Sequence, residues 1–340
     1  MDLLTQALAL LAAARAGRKW LPRFGVAALV AAGIVPNLDS ASYWGGAGSY
    51  LRYHRGALHG IAGASVAACA IAGLACLASR KFSSNQVSNE LRFPPAVVAA
   101  ALGIFIHLTL DFCTAPGVMF LWPWSMRWWG CEIVKALDPY LLILLAGGIL
   151  LPELFHLVSE EIGERRPSGP RGVVAAMVAL ALAAGYLGFR AELRTDAIRM
   201  LSSREYHRRP PTSADAFPDS ANPFLWRGVV STDATIEEVT VPVENEDEFE
   251  PDRSMTLYKP VNSPALQIAG EARDAKRFLM YARFPFARVT ENDEGFTVEF
   301  RDLRFPPSDT SANNMTAFVV LNHALQIESQ GFRFPSAESR

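Results

Sequence analysis

Five residues in the first third of the chain carry chemistry that an apolar environment tolerates poorly: Asp39, His54, His59, His107 and Asp111. Ionisable groups at membrane depth are costly unless they are paired or used, so each is a candidate functional group. His107 and Asp111 are four residues apart in His107-Leu108-Thr109-Leu110-Asp111. On a helix that spacing puts both side chains on one face, a turn apart. Imidazole nitrogen beside carboxylate oxygen is an ordinary ligand pair for zinc or a similar divalent ion. Asp39 closes Pro36-Asn37-Leu38-Asp39, and His54, Arg55 and His59 lie in His54-Arg55-Gly56-Ala57-Leu58-His59. Taken singly, each has a plainer reading: a histidine bonded within the core, an aspartate ending a helix, an arginine anchored at an interface. The case for a metal site rests on their joint placement.

The elements that must position them are apolar. Half of the 340 residues are hydrophobic and 19% are charged, but that average hides two unlike parts. Six segments up to Phe189 are almost free of charge, and charged residues return with Pro, Ser and Asn after Arg190. The expected fold is therefore a mostly α, polytopic membrane bundle of about six apolar helices over residues 1–190, with a soluble α+β domain over 191–340. Residues 60–79, 93–110, 139–152 (extended by 154–158) and 172–189 are long enough to span. Residues 3–14 and 24–38 are short for a crossing and suit tilted, re-entrant or buried helices. Asp2 stands where a signal peptide has a basic start, so the first run reads as a retained helix. The net charge of -2 gives no footing for bulk nucleic-acid binding. Cys69, Cys76, Cys113 and Cys131 form no CxxC pair, so neither a disulfide framework nor a cysteine-rich zinc site is expected.

If all six segments cross, the loops alternate sides. One set holds Arg15, Arg18, Lys19, Arg23, Arg80, Lys81, Arg92, Arg165, Arg166 and Arg171; the other holds Arg52, Arg55, Arg127 and Lys135. The positive-inside rule puts the first set in the cytoplasm, so both termini and the soluble domain face outward. Arg190, Arg194, Arg199 and Arg204 run against this assignment. Trp122, Trp124, Trp128 and Trp129 crowd one outer loop, as an interfacial aromatic belt does. With this topology Asp39, His54, His59, His107 and Asp111 reach the same outer depth from three segments. In the soluble part, residues 235–243, 254–259, 296–305 and 315–321 read as strands. Residues 192–204 and 272–282 read as helices, 206–223 as a connector, and the acidic run 244–252 as a solvated hairpin or loop in preference to a cation site.

In order along the chain, Pro36 to Asp39, His54 to His59, and His107 to Gly117 with Thr114 resemble the YdjM-type family of membrane-bound metal-dependent hydrolases; Leu121-Trp122-Pro123-Trp124-Ser125 is also similar. The soluble part looks like the C-terminal extension of one subgroup, through Asn222 to Arg227 and residues 278–305. Gln6 and Asn37 stand where the family usually has His and Asp. The family looks distantly similar to zinc-dependent phospholipase C and P1-type nucleases. That likeness implies a zinc site from Asp39, His54 or His59, His107 and Asp111. No second His-x-x-x-Asp pair is present, so a three-metal cluster is not expected.

The expected activity is hydrolysis of a phosphate ester, on a membrane lipid or lipid-linked substrate, at the outer face of a bacterial inner membrane. Asp111 or Asp39 would both ligate and accept a proton, and Arg55 would hold a phosphate oxygen. The alternative is a non-catalytic scaffold or envelope-stress protein with a structural metal. A transporter would place its polar groups near mid-membrane, whereas these lie at helix ends. Cysteines introduced at Ser49 and Ser220 test the topology in intact cells: an impermeant maleimide is expected to label both. Protection of both would reverse the orientation, and labelling of one would break the six-crossing count.

Overall fold

Asp2 starts the first helix by accepting the Thr5 N–H on its side chain at 2.9 Å, the usual N-cap arrangement. The computed structural model describes residues 1–82, 91–162, 172–218 and 222–335; Arg165, Arg166, Arg171 and Ser220 lie outside them. The helices are α1 (Leu3–Ala16), α2 (Arg23–Ile34), α3 (Ala47–Tyr53), α4 (Ile61–Phe82), α5 (Phe93–Phe112), α6 (Pro139–Ile162) and α7 (Val173–Ser202). Five stretches are long and apolar enough to cross a membrane: Arg23–Gly45, Ile61–Phe82, Phe93–Phe112, Pro139–Val158 and Val173–Ser202. The second segment reaches this length through a 3-10 continuation, Val35–Gly45. Pro36 has no N–H to offer an α ladder, so α2 closes at Ile34 and the chain runs on in tighter turns. The 14 residues of α1 rise only about 21 Å, short of the roughly 30 Å of a hydrocarbon core.

The chain divides into two compact units. The first comprises Met1–Asp39, Arg55–Ser125 and Trp129–Ala191; the second comprises Ser40–His54, Met126–Trp128 and Glu192–Arg340. In the first, many small residues are buried and many large ones exposed. Ala32, Ala64, Ala68, Ala100 and Ala176 are buried, whereas Leu74, Val98, Phe105, Ile143 and Val174 are exposed. A water-soluble bundle has the opposite arrangement. Lipid is as apolar as a leucine side chain, so nothing drives large residues inward, and close backbone approach is what holds the helices. The tightest approach joins α2 to α5. A Cβ on Gly33 would lie 2.2 Å from Leu10 Cδ2 and 2.9 Å from the Gly103 carbonyl, and one on Gly103 would lie 2.0 Å from the Leu29 carbonyl.

The second unit carries two antiparallel four-stranded sheets in consecutive order. The first holds β1 (Ser213–Pro218), β2 (Leu225–Ser231), β3 (Thr235–Pro242) and β4 (Met255–Tyr258); the second holds β5 (Pro285–Asn292), β6 (Gly295–Asp302), β7 (Thr316–Asn322) and β8 (Ile327–Arg333). Helices α8 (Pro264–Glu271) and α9 (Arg273–Tyr281) lie between the sheets in sequence. The end of α7 packs on the first sheet through Leu193, Ala197 and Leu201 against Ala216, Trp226 and Val241. The strands and the helix expected from β-branched and amphipathic patterns are present as β3, β4, β6, β7 and α9. The expected connector is not irregular throughout. Its residues 213–218 form β1, paired with β2 from Ser213↔Ser231 to Pro218↔Trp226. Nothing in the local pattern of Ser213-Ala214-Asp215-Ala216-Phe217-Pro218 marks a strand; its neighbour supplies the ladder.

The glycine contacts give a direct test. Gly103→Ala is expected to destabilise the detergent-solubilised protein by about 1–3 kcal/mol, the usual range for overpacking. Gly73→Ala on α4, where an added Cβ meets nothing within 4 Å, is expected to be neutral or stabilising. Thermal unfolding of both variants beside the parent decides it; equal midpoints would remove the close α2–α5 approach.

Candidate metal centre

The site is built at helix ends. α5 delivers His107 and Asp111 from its last turns, on one face as their spacing requires. His59 lies just before α4, in the turn that follows Arg55. All three are buried, with exposures of 2% for His59, 0% for His107 and 3% for Asp111. His59 Nε2 is 3.0 Å from Asp111 Oδ2, His107 Nε2 is 3.1 Å from His59 Nε2, and His107 Nε2 is 3.4 Å from Asp111 Oδ2. Two imidazole nitrogens and one carboxylate oxygen thus form a triangle.

Asp39 stands behind His59. Its Oδ2 is 3.0 Å from His59 Nδ1, and both its oxygens accept the Leu58 N–H, at 3.2 and 2.9 Å. A carboxylate only accepts, so His59 Nδ1 carries a proton. In the neutral ring Nε2 then presents a lone pair towards Asp111 Oδ2, which is repulsive unless a second proton or a cation lies there. Burial alone would lower the pKa of His59, which precedes the span beginning at Ile61, but hydrogen bonds to Asp111 and then Asp39 outweigh it and raise the pKa. The two carboxylates therefore favour positive charge on the His59 ring.

The donor set fits a divalent ion. Zinc–nitrogen bonds of about 2.0–2.1 Å imply roughly 3.3–3.4 Å between neighbouring ligand atoms in a tetrahedron, and the triangle has edges of 3.0, 3.1 and 3.4 Å. The Asp39–His59 bond is the outer contact that metal-bound histidines commonly make to fix tautomer and ring orientation. His107 lacks one, since its buried Nδ1 has no hydrogen-bond partner. These three residues are the only group of that kind found among the described residues.

The other oxygen of Asp111 is held by donors. Oδ1 accepts from the Met1 amino group at 2.5 Å and from Gln6 Nε2 at 3.1 Å, and Arg55 Nη2 lies 3.3 Å away. Gln6 Oε1 in turn accepts from Asn37 Nδ2 at 2.9 Å. The two positions that depart from the resembled family are therefore neighbours, and Gln6 bonds directly to the site. Their amide character was legible in the sequence; their contact with each other was not.

Of the residues singled out in the sequence, His59, His107 and Asp111 come together as ligand-type atoms. Asp39 touches the group through the far nitrogen of His59. His54 ends α3 in the second unit, stacks on Tyr50 with ring centroids 4.2 Å apart, and is not among the three. Arg55 has a φ of 53° and is 7% exposed, so it is no interfacial anchor. Its Nη1 donates to Thr114 Oγ1 and the Gly117 carbonyl, each at 3.2 Å. Arg55 thus balances the Asp111 charge and ties down the turn after α5. Thr114 and Gly117 shape that turn: Gly117 has a φ of 86°, and a Cβ there would lie 2.2 Å from the Trp129 carbonyl.

Metal analysis of purified variants tests the arrangement. His107→Ala and His59→Ala are expected to lose the ion, whereas Asp39→Asn should keep it with affinity lowered about 10–100-fold, the usual cost of an outer-contact change. His156 in α6, His207 after α7 and His323 after β7 serve as controls. Loss of metal in His156→Ala as complete as in His107→Ala would reject the centre.

No curated protein and no solved structure matches the chain. The YdjM inner membrane protein family does, over residues 1–193, a stretch that contains the whole site, four of the five candidate spans and most of the last. The chain belongs to the YdjM inner membrane protein family.

Proposed function

We propose that the protein is a metal-dependent hydrolase acting on a phosphate ester, of a lipid or lipid-linked substrate, at the surface of the membrane that holds it. The observation that carries this reading is the number of converging ligand atoms: three rather than four. A structural zinc site is closed by four protein ligands, whereas a catalytic one keeps a position open. Zinc is the first choice because two imidazoles and one carboxylate suit it, with other divalent ions next. A divalent ion in such a site supplies Lewis acidity and an acidified water. The chain's own residues set up that chemistry. Asp39 orients His59, while Arg55 and Gln6 hold Asp111 Oδ1 and leave Oδ2 for the two histidines. With Arg55 occupied in this way, a positioning role is favoured over direct contact with a phosphate oxygen. Asp39 is in the same position: an orienting group before a ligand.

The proposed orientation puts the site and the C-terminal domain in the periplasm. The four arginines that follow Phe189 weighed against it, yet each has a protein partner. Arg190 donates to the Ile133 carbonyl at 3.0 Å, Arg194 pairs with Asp215, Arg199 with Asp196 at 2.5 Å and Arg204 with Glu246 at 3.5 Å. Arginines engaged in the fold count less as free positive charge flanking a span.

A second reading, a non-catalytic scaffold with a structural metal, is favoured by one observation: the near-complete burial of His59, His107 and Asp111. Activity separates the two. Metal-loaded protein is expected to hydrolyse phospholipids or generic phosphate esters, with turnover abolished by a chelator. Asp111→Asn keeps the shape and removes the charge, and should lower the rate by orders of magnitude while apolar packing holds the bundle. Chelator-insensitive turnover would end the metal mechanism. Bound metal without turnover on any ester would favour the scaffold.

A further inference from the structure

Cys113 is the first residue after α5, two beyond Asp111, and is buried; Cys131 is half-buried on the segment that returns past it. The two are far apart in sequence and share no motif, yet the backbone brings them side by side. The Cys131 N–H donates to the Phe112 carbonyl at 2.9 Å, and the Ile133 and Val134 N–H groups donate to the Cys113 carbonyl at 2.9 and 3.1 Å. Cys131 Sγ lies 3.5 Å from the same Phe112 carbonyl, at the residue that precedes Cys113. Farther along, Val118 and Trp129 pair through reciprocal backbone bonds of 2.8 and 2.9 Å. The segment between the cysteines is thus zipped at its base, with two thiols at the closure. Disulfides need roughly 4.4–6.8 Å between Cα atoms and side chains directed at each other. Direct backbone bonding beside both cysteines holds the two chain segments at the close approach that such a bridge requires.

We propose that Cys113 and Cys131 form a disulfide that locks the turn after α5 to the returning segment, next to the helix end that carries His107 and Asp111. This inference does not depend on the hydrolase reading. The reaction is thiol–disulfide exchange with an external disulfide such as oxidised glutathione. The more accessible Cys131, as the thiolate, attacks one glutathione sulfur; an S–S bond breaks, a mixed disulfide forms and one glutathione leaves. Cys113 then attacks the Cys131 sulfur and expels the second glutathione. The two protein thiols are oxidised by two electrons in all, one glutathione disulfide is reduced to two thiols, and the two protons lost by the cysteines end on the glutathiones. The bridge would narrow the unfolded ensemble by closing a loop and fix the position of the segment nearest Asp111.

The test uses full-length protein purified under reducing conditions and then equilibrated in glutathione buffers of graded redox ratio. Remaining thiols are capped, the protein is digested and the peptides are weighed. One cross-linked product joining Cys113 to Cys131 is expected, at a ratio where Cys69 and Cys76 are still capped, and it should vanish in Cys131→Ser. The oxidised parent should unfold several degrees above its reduced form, with no such shift in Cys131→Ser. Cys113 and Cys131 both capped at every ratio would overturn the inference. So would separate glutathione adducts on the two cysteines, or an oxidised form that melts below the reduced one.

Discussion

The first unit is organised around one buried imidazole. His59 sits between two carboxylates, with Asp39 on Nδ1 and Asp111 facing Nε2 at 3.0 Å each. Asp39 belongs to the 3-10 continuation of α2, His59 to the entry into α4, and Asp111 to the last turn of α5. A single ring therefore registers three helices against each other at one depth. Two carboxylates in an apolar setting demand compensation, because an uncompensated buried charge is far more costly than the pairing returns. Asp39 is met by the Leu58 N–H as well as His59, and Asp111 by Arg55, Gln6 and the Met1 amino group. Much of the polar structure of this unit is that compensation.

The packing around the site follows from the same setting. α2 and α5 must come close enough for Asp39 and Asp111 to address one ring from opposite sides. Gly33 and Gly103 let them, since the backbone of one helix occupies the place where the side chain of the other would be. Larger side chains go to the outer surface, where lipid receives them without loss. The ionisable groups of the site lie at or near helix ends, an arrangement that suits surface chemistry better than passage across the bilayer.

The C-terminal unit follows the rules of water-soluble proteins. Trp226, Phe278, Tyr206 and Leu321 are fully buried there, alternate strand residues face its cores, and charged groups pair across its surface. The eight strands among its described residues form two simple meanders whose neighbours are also neighbours in sequence. The match to the YdjM inner membrane protein family ends at residue 193, close to where the polarity of the chain changes. The histidine–carboxylate group belongs wholly to the membrane part.

The sequence by itself determined the membrane character, the change of regime near Arg190, and the shared face of His107 and Asp111. These depend on local composition or on helix period, which neighbouring residues fix without help. It also marked His59 and Asp39 as residues out of place in apolar surroundings. What it could not apportion was their roles. Whether a carboxylate faces an ion or the back of a histidine depends on how two helices cross, and only the tertiary structure sets that crossing. The same holds for Arg55, whose charge is visible in the sequence but whose partner, Asp111, is supplied by a distant helix. The contact between Gln6 and Asn37, the strand at Ser213–Pro218 and the return of Cys131 to the end of α5 have no local signal. Each arises from contact between two segments, and such contact leaves no periodic trace in either partner.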